Sequence, residues 1–402
     1  MSAIDRNNRG RCSVSVMEKI SPAPLLDALI RIPSVSALTN RPLIEFVEDT
    51  LRGRGWNFRE LPYHDSRGIE KVNLLATPPW QKSDDFAVDL ALVCHTDTVP
   101  YSAEWNDAVQ PRVVGDAMHG CGACDVKGFL ACLLAALLNK PETHFASTVA
   151  LVLTAEEEIG CVGARHLLQA GLLRPRQVVV GEPTSLHPAR AGKGYGLAEI
   201  RVFGTEAHSA HPAQGVSAIY RAAKLIGKIE QYARSLGDVL ARDEARIFDP
   251  PYTTFNVGTI EGGTAKNIIA AECKFLLEWR PLPGDPMGKI PGIVQGMVAD
   301  LQMNDPDFRY ELNVLREQSG FETAASSPLV RRWTEISGRE AIGVPFGTEA
   351  PLMSTLANDT IVLGPGDMRT AHSPRECVRL AELDLCVAYV TELLEHPMEP
   401  AP

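Results

Sequence analysis

Val88-Asp89-Leu90-Ala91-Leu92-Val93-Cys94-His95-Thr96-Asp97-Thr98-Val99-Pro100 is the stretch on which the reading of this chain turns. Its first seven residues are almost all apolar, as in a strand buried on both faces. The apolar run stops at His95, and Pro100 closes the polar turn that follows. In open α/β sheets ligands collect at the carboxyl ends of the strands, so polar side chains directly after a buried strand are candidates for a site.

The same texture extends in both directions. Residues 148–154 (TVALVLT) and 177–180 read as buried strands, 126–138 as an almost wholly apolar helix, and about 163–169 as another helix. Upstream, residues 21–54 read as helices, with a start at 24–29 and apolar spacing of three and four over 42–51. Strands alternating with buried helices predict an α/β unit with helices on both faces of a central sheet. After Pro188 the pattern changes. Residues 196–203, 253–261, 271–279 and 308–314 read as strands with one polar face, the second and third joined at Gly262-Gly263. Residues 218–236 and 289–302 read as amphipathic helices. The α/β texture then resumes with a helix from Ser327, a strand at 360–363 and a C-terminal helix at 380–394. The expected organisation is a larger domain at 16–188 and 318–402, interrupted by an inserted α+β domain at 189–317. Residues 1–15 are expected to be a disordered extension.

Composition excludes several classes. The 402 residues are 45% hydrophobic and 22% charged, enough to bury a full core. A net charge of −11 argues against nucleic acid, whose phosphates need a basic face. No apolar run reaches membrane-spanning length, and the first residues lack the apolar core of a secretion signal. Nine cysteines, an odd number, are expected to be reduced thiols in the cytoplasm.

Five segments carry the candidate chemistry. In the first, a His-x-Asp pair lets the His95 imidazole bind a metal while Asp97 fixes its orientation. Asp125, in Gly122-Ala123-Cys124-Asp125-Val126-Lys127-Gly128, enters the apolar helix as a ligand, a helix cap or both. Cys121 and Cys124 make a lone CxxC and read as packing thiols. The run Glu156-Glu157-Glu158 would repel itself unless a cation sat beside it, and neighbouring glutamates can divide metal binding from base catalysis. Glu182, after the strand at 177–180, and His372, in Thr370-Ala371-His372-Ser373-Pro374, complete the set. Two histidines, one aspartate and two glutamates, with spare acids at Asp97 and Glu156, suit a hydrolytic zinc pair.

Taken in order, HTDTVP, GACDVKG, TAEEEIG, GEPT, GTEAHSAHP and AHSPRE resemble the M20 family of metallohydrolases over about residues 21–395. The resemblance implies a di-zinc catalytic domain, in which cobalt can replace zinc, interrupted by a lid that forms a homodimer. It implies that Asp125 bridges the metals, that His95 and Glu182 complete one site, and that Glu157 and His372 complete the other. Glu156 would be the general base and Asp97 would orient His95. A cis peptide would follow Asp125. Cys121 stands where that family commonly has arginine and Cys161 where it has serine, neither at a ligand position.

The expected reaction is hydrolysis of an N-acyl amino acid. His208 would stabilise the oxyanion from the partner subunit's lid, a role its Gly-x-x-Ala-His-Ser setting favours over His211. Arg280 offers a fork for the free carboxylate and Asn267 a polar contact. The stretches RPLPG at 280–284, GTEAP at 347–351 and LGPG at 363–366 resemble the acetylornithine-deacylating branch of the family. That resemblance implies N-acetylornithine as substrate, with Glu349 receiving its cationic side chain. N-acetylcitrulline, N-succinyl-diaminopimelate, other N-acyl amino acids, a metallopeptidase activity and an inert binding scaffold remain open on the sequence.

Overall fold

The structure is a computed structural model that describes residues 19–81, 86–102, 104–140, 145–238 and 243–396. The extension expected at 1–15 lies outside the described residues. In chain order the elements begin with α1 (Pro22–Ile30), α2 (Arg41–Arg52), β1 (Asn57–His64), β2 (Glu70–Thr77), β3 (Ala87–His95), β4 (Arg112–Val114), β5 (Ala117–His119) and α3 (Lys127–Asn139). They continue with β6 (Val149–Thr154), α4 (Val162–Ala170), β7 (Arg174–Gly181), β8 (Ala189–Gly192), β9 (Tyr195–Phe203), α5 (Ala218–Asp238), β10 (Thr254–Gly262) and β11 (Glu272–Arg280). The last are α6 (Lys289–Gln302), β12 (Arg309–Gln318), β13 (Phe321–Glu322), α7 (Pro328–Ser337), β14 (Ile342–Val344), α8 (Ala350–Met353), β15 (Asp359–Leu363), β16 (Cys377–Arg379) and α9 (Leu380–Glu395).

A nine-stranded mixed sheet runs β1-β2-β6-β3-β7-β15-β8-β13, with β14 also paired to β8. Its centre, β6-β3-β7-β15, is parallel, so His95, Thr154, Gly181 and Leu363 end their strands along one edge. The period of two along a strand sends alternate side chains to opposite faces. Leu90, Leu92 and Cys94 of β3 pack into a core with α1, α2, α3, α7 and α9. Ala91 and Val93 face a second core with α4 and α8. Helices therefore cover both faces, and α3, with Lys127 through Leu138 all buried, is apolar all round because it has no solvent face.

Residues between Tyr195 and Gln318 form a separate four-stranded antiparallel sheet, β10-β11-β9-β12. One face, carrying Ala198, Ile200, Val202, Phe275, Leu277 and Trp279, is covered by α5 and α6. Strand β9 alternates between half-buried and buried along its whole length, as a sheet with one covered face requires. Strand β8, beyond residue 188, still belongs to the large sheet. The turn between β10 and β11 is longer than the Gly262-Gly263 pair, running on through Asn267 and Ile268. No helix among the described residues is long and apolar enough to cross a membrane.

Two parts of the fold were not legible as strands. The β1–β2 hairpin joins it antiparallel through β2 and β6. A small sheet, β16-β5-β4, ties the segment after His372 to the segment before Asp125.

Candidate metal centre

His95 is the last residue of β3 and is almost fully buried. Its Nδ1 lies 3.0 Å from the Asp97 backbone carbonyl, which accepts the ring N–H and leaves the Nε2 lone pair free. Nε2 points at Asp125 Oδ1, 3.2 Å away. The Asp97 carboxylate is 3.6 Å from Nδ1 and is otherwise engaged. It accepts the backbone N–H groups of Glu157 at 3.0 Å and Glu158 at 3.3 Å, and the Ser36 hydroxyl at 2.6 Å. Asp97 thus orients His95 chiefly through its main chain and uses its side chain to hold the acidic turn.

Asp125 lies in the loop before α3, followed by a cis peptide to Val126. It does not cap that helix: the capping position is Val126, and no side chain caps it. Its carboxylate reaches both histidines, with His372 Nε2 2.9 Å from Oδ2. Its backbone N–H, like that of Cys124, donates to Glu376 Oε1 at 3.2 Å. Glu376, the last residue of the AHSPRE stretch, is buried and had been given no role. The loop is tight: a Cβ on Gly128 would sit 2.3 Å from the Ala123 carbonyl oxygen.

The acidic run divides its three carboxylates. His372 Nε2 is 3.2 Å from Glu158 Oε1, and Asp125, Glu158 and His372 offer ligand atoms all within 4.8 Å of one another. His95, Asp125 and Glu182 form a second such group, so Asp125 is common to both. The expectation had Glu157 beside His372 and Glu156 as the free acid; in the structure Glu158 stands beside His372. The reason is backbone conformation. Glu156 adopts a left-handed φ of 57°, which turns its side chain onto Tyr63 and Lys71. Glu157 is left half-buried beside Cys161, whose thiol donates to Oε1 at 3.4 Å.

Glu182 follows β7 and is 2% exposed, and its Oε1 has no hydrogen-bond partner. An orphaned buried carboxylate oxygen is costly unless a cation completes it. The preceding Gly181 allows the approach, since a Cβ there would meet Phe129 Cδ1 at 2.3 Å.

The charges of the metal-free centre lean on one another. Burial pulls the His95 imidazole down, yet Asp125 and Asp97 hold it well above its ordinary value. Asp125 and Glu158 raise His372 to about 10. Burial works against Asp125, but the His372 and His95 contacts leave it below the usual carboxylate range. Burial, then Asp125 and Glu157, pushes Glu182 well up. Burial, with Glu158, Glu349 and Asp97, raises Glu157 to about 8 against the pull of His95. Raised imidazoles beside raised carboxylates, with Asp125 held low between the two rings, mark donors packed closely enough to set one another's charge. The donors are nitrogen and oxygen without thiolate, the set that suits zinc in hydrolytic centres. The eight cysteines described are all free, and Cys121 and Cys124 are buried.

The remaining candidates lie apart from this cluster. His208 and Asn267 are exposed neighbours on the four-stranded unit, with His208 bridged to Ile268. His208 Nδ1 accepts the Ala210 N–H at 3.1 Å, so a proton on the neutral ring sits at Nε2. Arg280 ends β11, pairs with Glu278 at 2.9 Å, and lays its guanidinium 4.6 Å from the centre of the Tyr195 ring. Glu349 is 1% exposed. It takes one bond, from Thr154 Oγ1 at 2.8 Å, while Oε1 has no partner. Burial lifts Glu349 to about 7.

Known proteins resemble this chain over most of its length. Residues 91–396 match Peptidase family M20/M25/M40. The chain is 41% identical over 371 residues to an acetylornithine deacetylase of Myxococcus xanthus, covering 92% of this chain and 96% of that protein. It is 34% identical over 379 residues to an acetylornithine deacetylase of Klebsiella pneumoniae strain 342, with the same coverage. A tripeptidase from Staphylococcus aureus superposes with a TM-score of 0.74 at 22% identity, over 93% of this chain and 97% of its own. Human carnosine dipeptidase 1 superposes with a TM-score of 0.69 at 14% identity, over 93% and 96%. These two likenesses concern the fold.

Proposed function

The chain belongs to peptidase family M20/M25/M40, and from that premise we propose that it hydrolyses the amide bond of N-acetylornithine, releasing ornithine and acetate, with two divalent cations at the centre described above. The observation that carries this reading is the pair of three-residue donor groups sharing Asp125 at the carboxyl ends of the parallel strands. His95, Asp125 and Glu182 would hold one cation, and Asp125, Glu158 and His372 the other. Zinc fits the donors best, and cobalt can replace it. Such a pair supplies Lewis-acid polarisation of the scissile carbonyl and a water acidic enough to react at neutral pH.

The chain's own residues handle the protons. We assign the general base to Glu157 rather than Glu156. Its backbone is pinned by Asp97, and its carboxylate is close enough to His95, Glu158 and Glu182 for their charges to act on it. It takes a proton from the attacking water and returns it to the leaving amine. His208 presents an Nε2–H for the developing oxyanion. Being on the surface of its own chain, it would act across a homodimer at the partner's site. The exposed apolar side chains Val216, Ile219, Tyr220 and Ile260 on the same unit support such a contact. The four-stranded unit would then be the lid, and the Arg280 fork, with Asn267 beside the oxyanion donor, would receive the substrate's α-carboxylate end. The unpartnered Oε1 of Glu349 suits the ammonium of an ornithine side chain. We assign it a biosynthetic role in the cytoplasm, a reading that the names of the two deacetylase relatives support.

The test is turnover of N-acetylornithine by the zinc-loaded protein, compared with N-acetylcitrulline, N-succinyl-diaminopimelate and dipeptides. N-acetylornithine is expected to have the highest kcat/KM, at least ~10-fold above the neutral citrulline analogue. Faster cleavage of dipeptides or of the succinyl substrate would refute the substrate assignment.

A further inference from the structure

The turn that carries Glu157 and Glu158 is gripped from the β1–β2 side of the large sheet. Asn73 in β2 accepts the Ala155 N–H at 3.1 Å and donates to the Gly163 carbonyl at 2.7 Å. Asp97 takes the next two useful N–H groups, as described. Between these anchors stands Glu156, in a left-handed conformation that a non-glycine residue keeps only where its surroundings over-determine it. Those surroundings are specific. The Tyr63 hydroxyl donates to Glu156 Oε2 at 3.0 Å, and Lys71 Nζ lies 3.9 Å from Oε1. Lys71 is 1% exposed and donates to the Ser36 carbonyl at 2.7 Å and to the Leu38 carbonyl. Ser36 closes the circuit through its hydroxyl bond to Asp97. Tyr63 is itself fixed by stacking on His166 of α4, with ring centres 4.0 Å apart.

A buried lysine on the inward face of a strand is expensive and stays only with charge and hydrogen-bond partners. Here those partners are Glu156 and two carbonyls of the loop before α2. The geometry has a consequence for the adjacent carboxylates. Three consecutive glutamates on one turn repel one another. Drawing the first onto Lys71 and Tyr63 separates its charge from the other two, and the chain then doubles back, with the Val162 N–H donating to the Glu156 carbonyl, so that Glu158 reaches His372.

We propose that Glu156, Tyr63 and Lys71 form an anchor that positions Glu158 as a cation ligand and Glu157 as the base; all three are positioning residues, and the inference rests on the reading of the centre given above. Outer contacts of this kind set ligand orientation, and losing one commonly weakens cation binding 10- to 100-fold.

The experiment uses the full chain, metal-free and zinc-loaded, as wild type and as Tyr63→Phe, Glu156→Gln, Glu156→Ala and Glu157→Gln. Zinc affinity is measured by chelator competition, kcat and KM on N-acetylornithine, and folding by melting temperature. Tyr63→Phe and Glu156→Gln are each expected to weaken the looser zinc by about 10-fold and lower kcat by a similar factor, with KM within about 2-fold. Glu156→Ala, which loses the Tyr63 bond as well as the charge, is expected to lose about 100-fold in affinity. Normal zinc affinity and kcat per folded molecule, with only a lower melting temperature, would reduce the anchor to a stability element and overturn the proposal. Loss of turnover in Glu156→Gln to the level of Glu157→Gln, with zinc affinity intact, would make Glu156 the base and overturn it too. A wild-type protein that binds no zinc would overturn the reading of the centre itself, whereas zinc bound normally by the anchor variants overturns the anchor alone.

Discussion

Zinc must displace protons from this centre, and the number displaced can be worked out from the residues that hold them. In the metal-free chain His372 is raised to about 10 by Asp125 and Glu158, and His95 is raised well above 6.5 by Asp125 and Asp97 despite its burial. At pH 7.5 the His372 ring therefore carries an extra proton, which it must lose to present a lone pair, and His95 is shifted in the same direction. Burial and its neighbouring carboxylates shift Glu182 the same way. Loading the pair should release at least about one proton at pH 7.5. For His372 the gap between 10 and 7.5 is worth about 3.4 kcal/mol. Since 47% of that side chain is exposed, solvent screening reduces this to roughly 1–2 kcal/mol. Apparent affinity for the pair should rise by at least about one log unit per pH unit between roughly pH 6.5 and 9. The stability of the metal-free fold moves the opposite way. A raised histidine contributes stability that is complete below its unfolded value of 6.5 and is withdrawn as pH climbs through about 10. Calorimetric zinc titration in two weakly coordinating buffers of different ionisation enthalpy reads the proton count directly. Release of fewer than about half a proton, or an affinity flat from pH 7 to 9, would refute the linkage.

Further outcomes follow from the same geometry. Glu158→Gln should bind one zinc tightly instead of two, while Glu157→Gln should keep both and lose at least ~10³-fold in kcat, as zinc analysis and steady-state kinetics would record. If His208 acts across a two-fold dimer, refolding a 1:1 mixture of inactive His208→Ala and Glu157→Gln chains should restore about a quarter of wild-type activity; a mixture that stays inactive would place His208 in its own chain's site. Gly181→Ala should cost about 1–3 kcal/mol in denaturant unfolding and loosen zinc, because the new methyl must push Phe129 away from the residue before Glu182.

Much of this centre was legible because buried strands announce where they end. The apolar run that stops at His95, the one before Glu182 and the helix entry at Asp125 each located a ligand candidate to the residue, and the structure brings these three within 4.8 Å. The division of labour among Glu156, Glu157 and Glu158 was not legible. Three identical side chains carry no mark of which one takes a left-handed conformation, and in the proposed assignment a single such residue shifts every role by one position. The hairpin that decides the matter was hidden for a related reason. Strand β2 is buried from Lys71 to Thr77, yet it holds Lys71 and Asn73, so it does not read as an apolar run. Those two polar residues are inside because each holds the backbone or side chains of the acidic turn. Asp97 was singled out as the residue that orients His95. That its main chain does this, freeing its carboxylate for two backbone amides, depends on a turn geometry that residue types alone do not specify.

The central claim is that two cations share Asp125, with Glu158 rather than Glu157 as the acidic-run ligand. Anomalous diffraction at the zinc edge from zinc-loaded crystals tests it most directly. The expected result is two peaks, one ligated by His95, Asp125 and Glu182 and the other by Asp125, Glu158 and His372, with the Glu157 carboxylate free of both. A single peak, or a peak ligated by Glu157 or Glu156, would contradict the account.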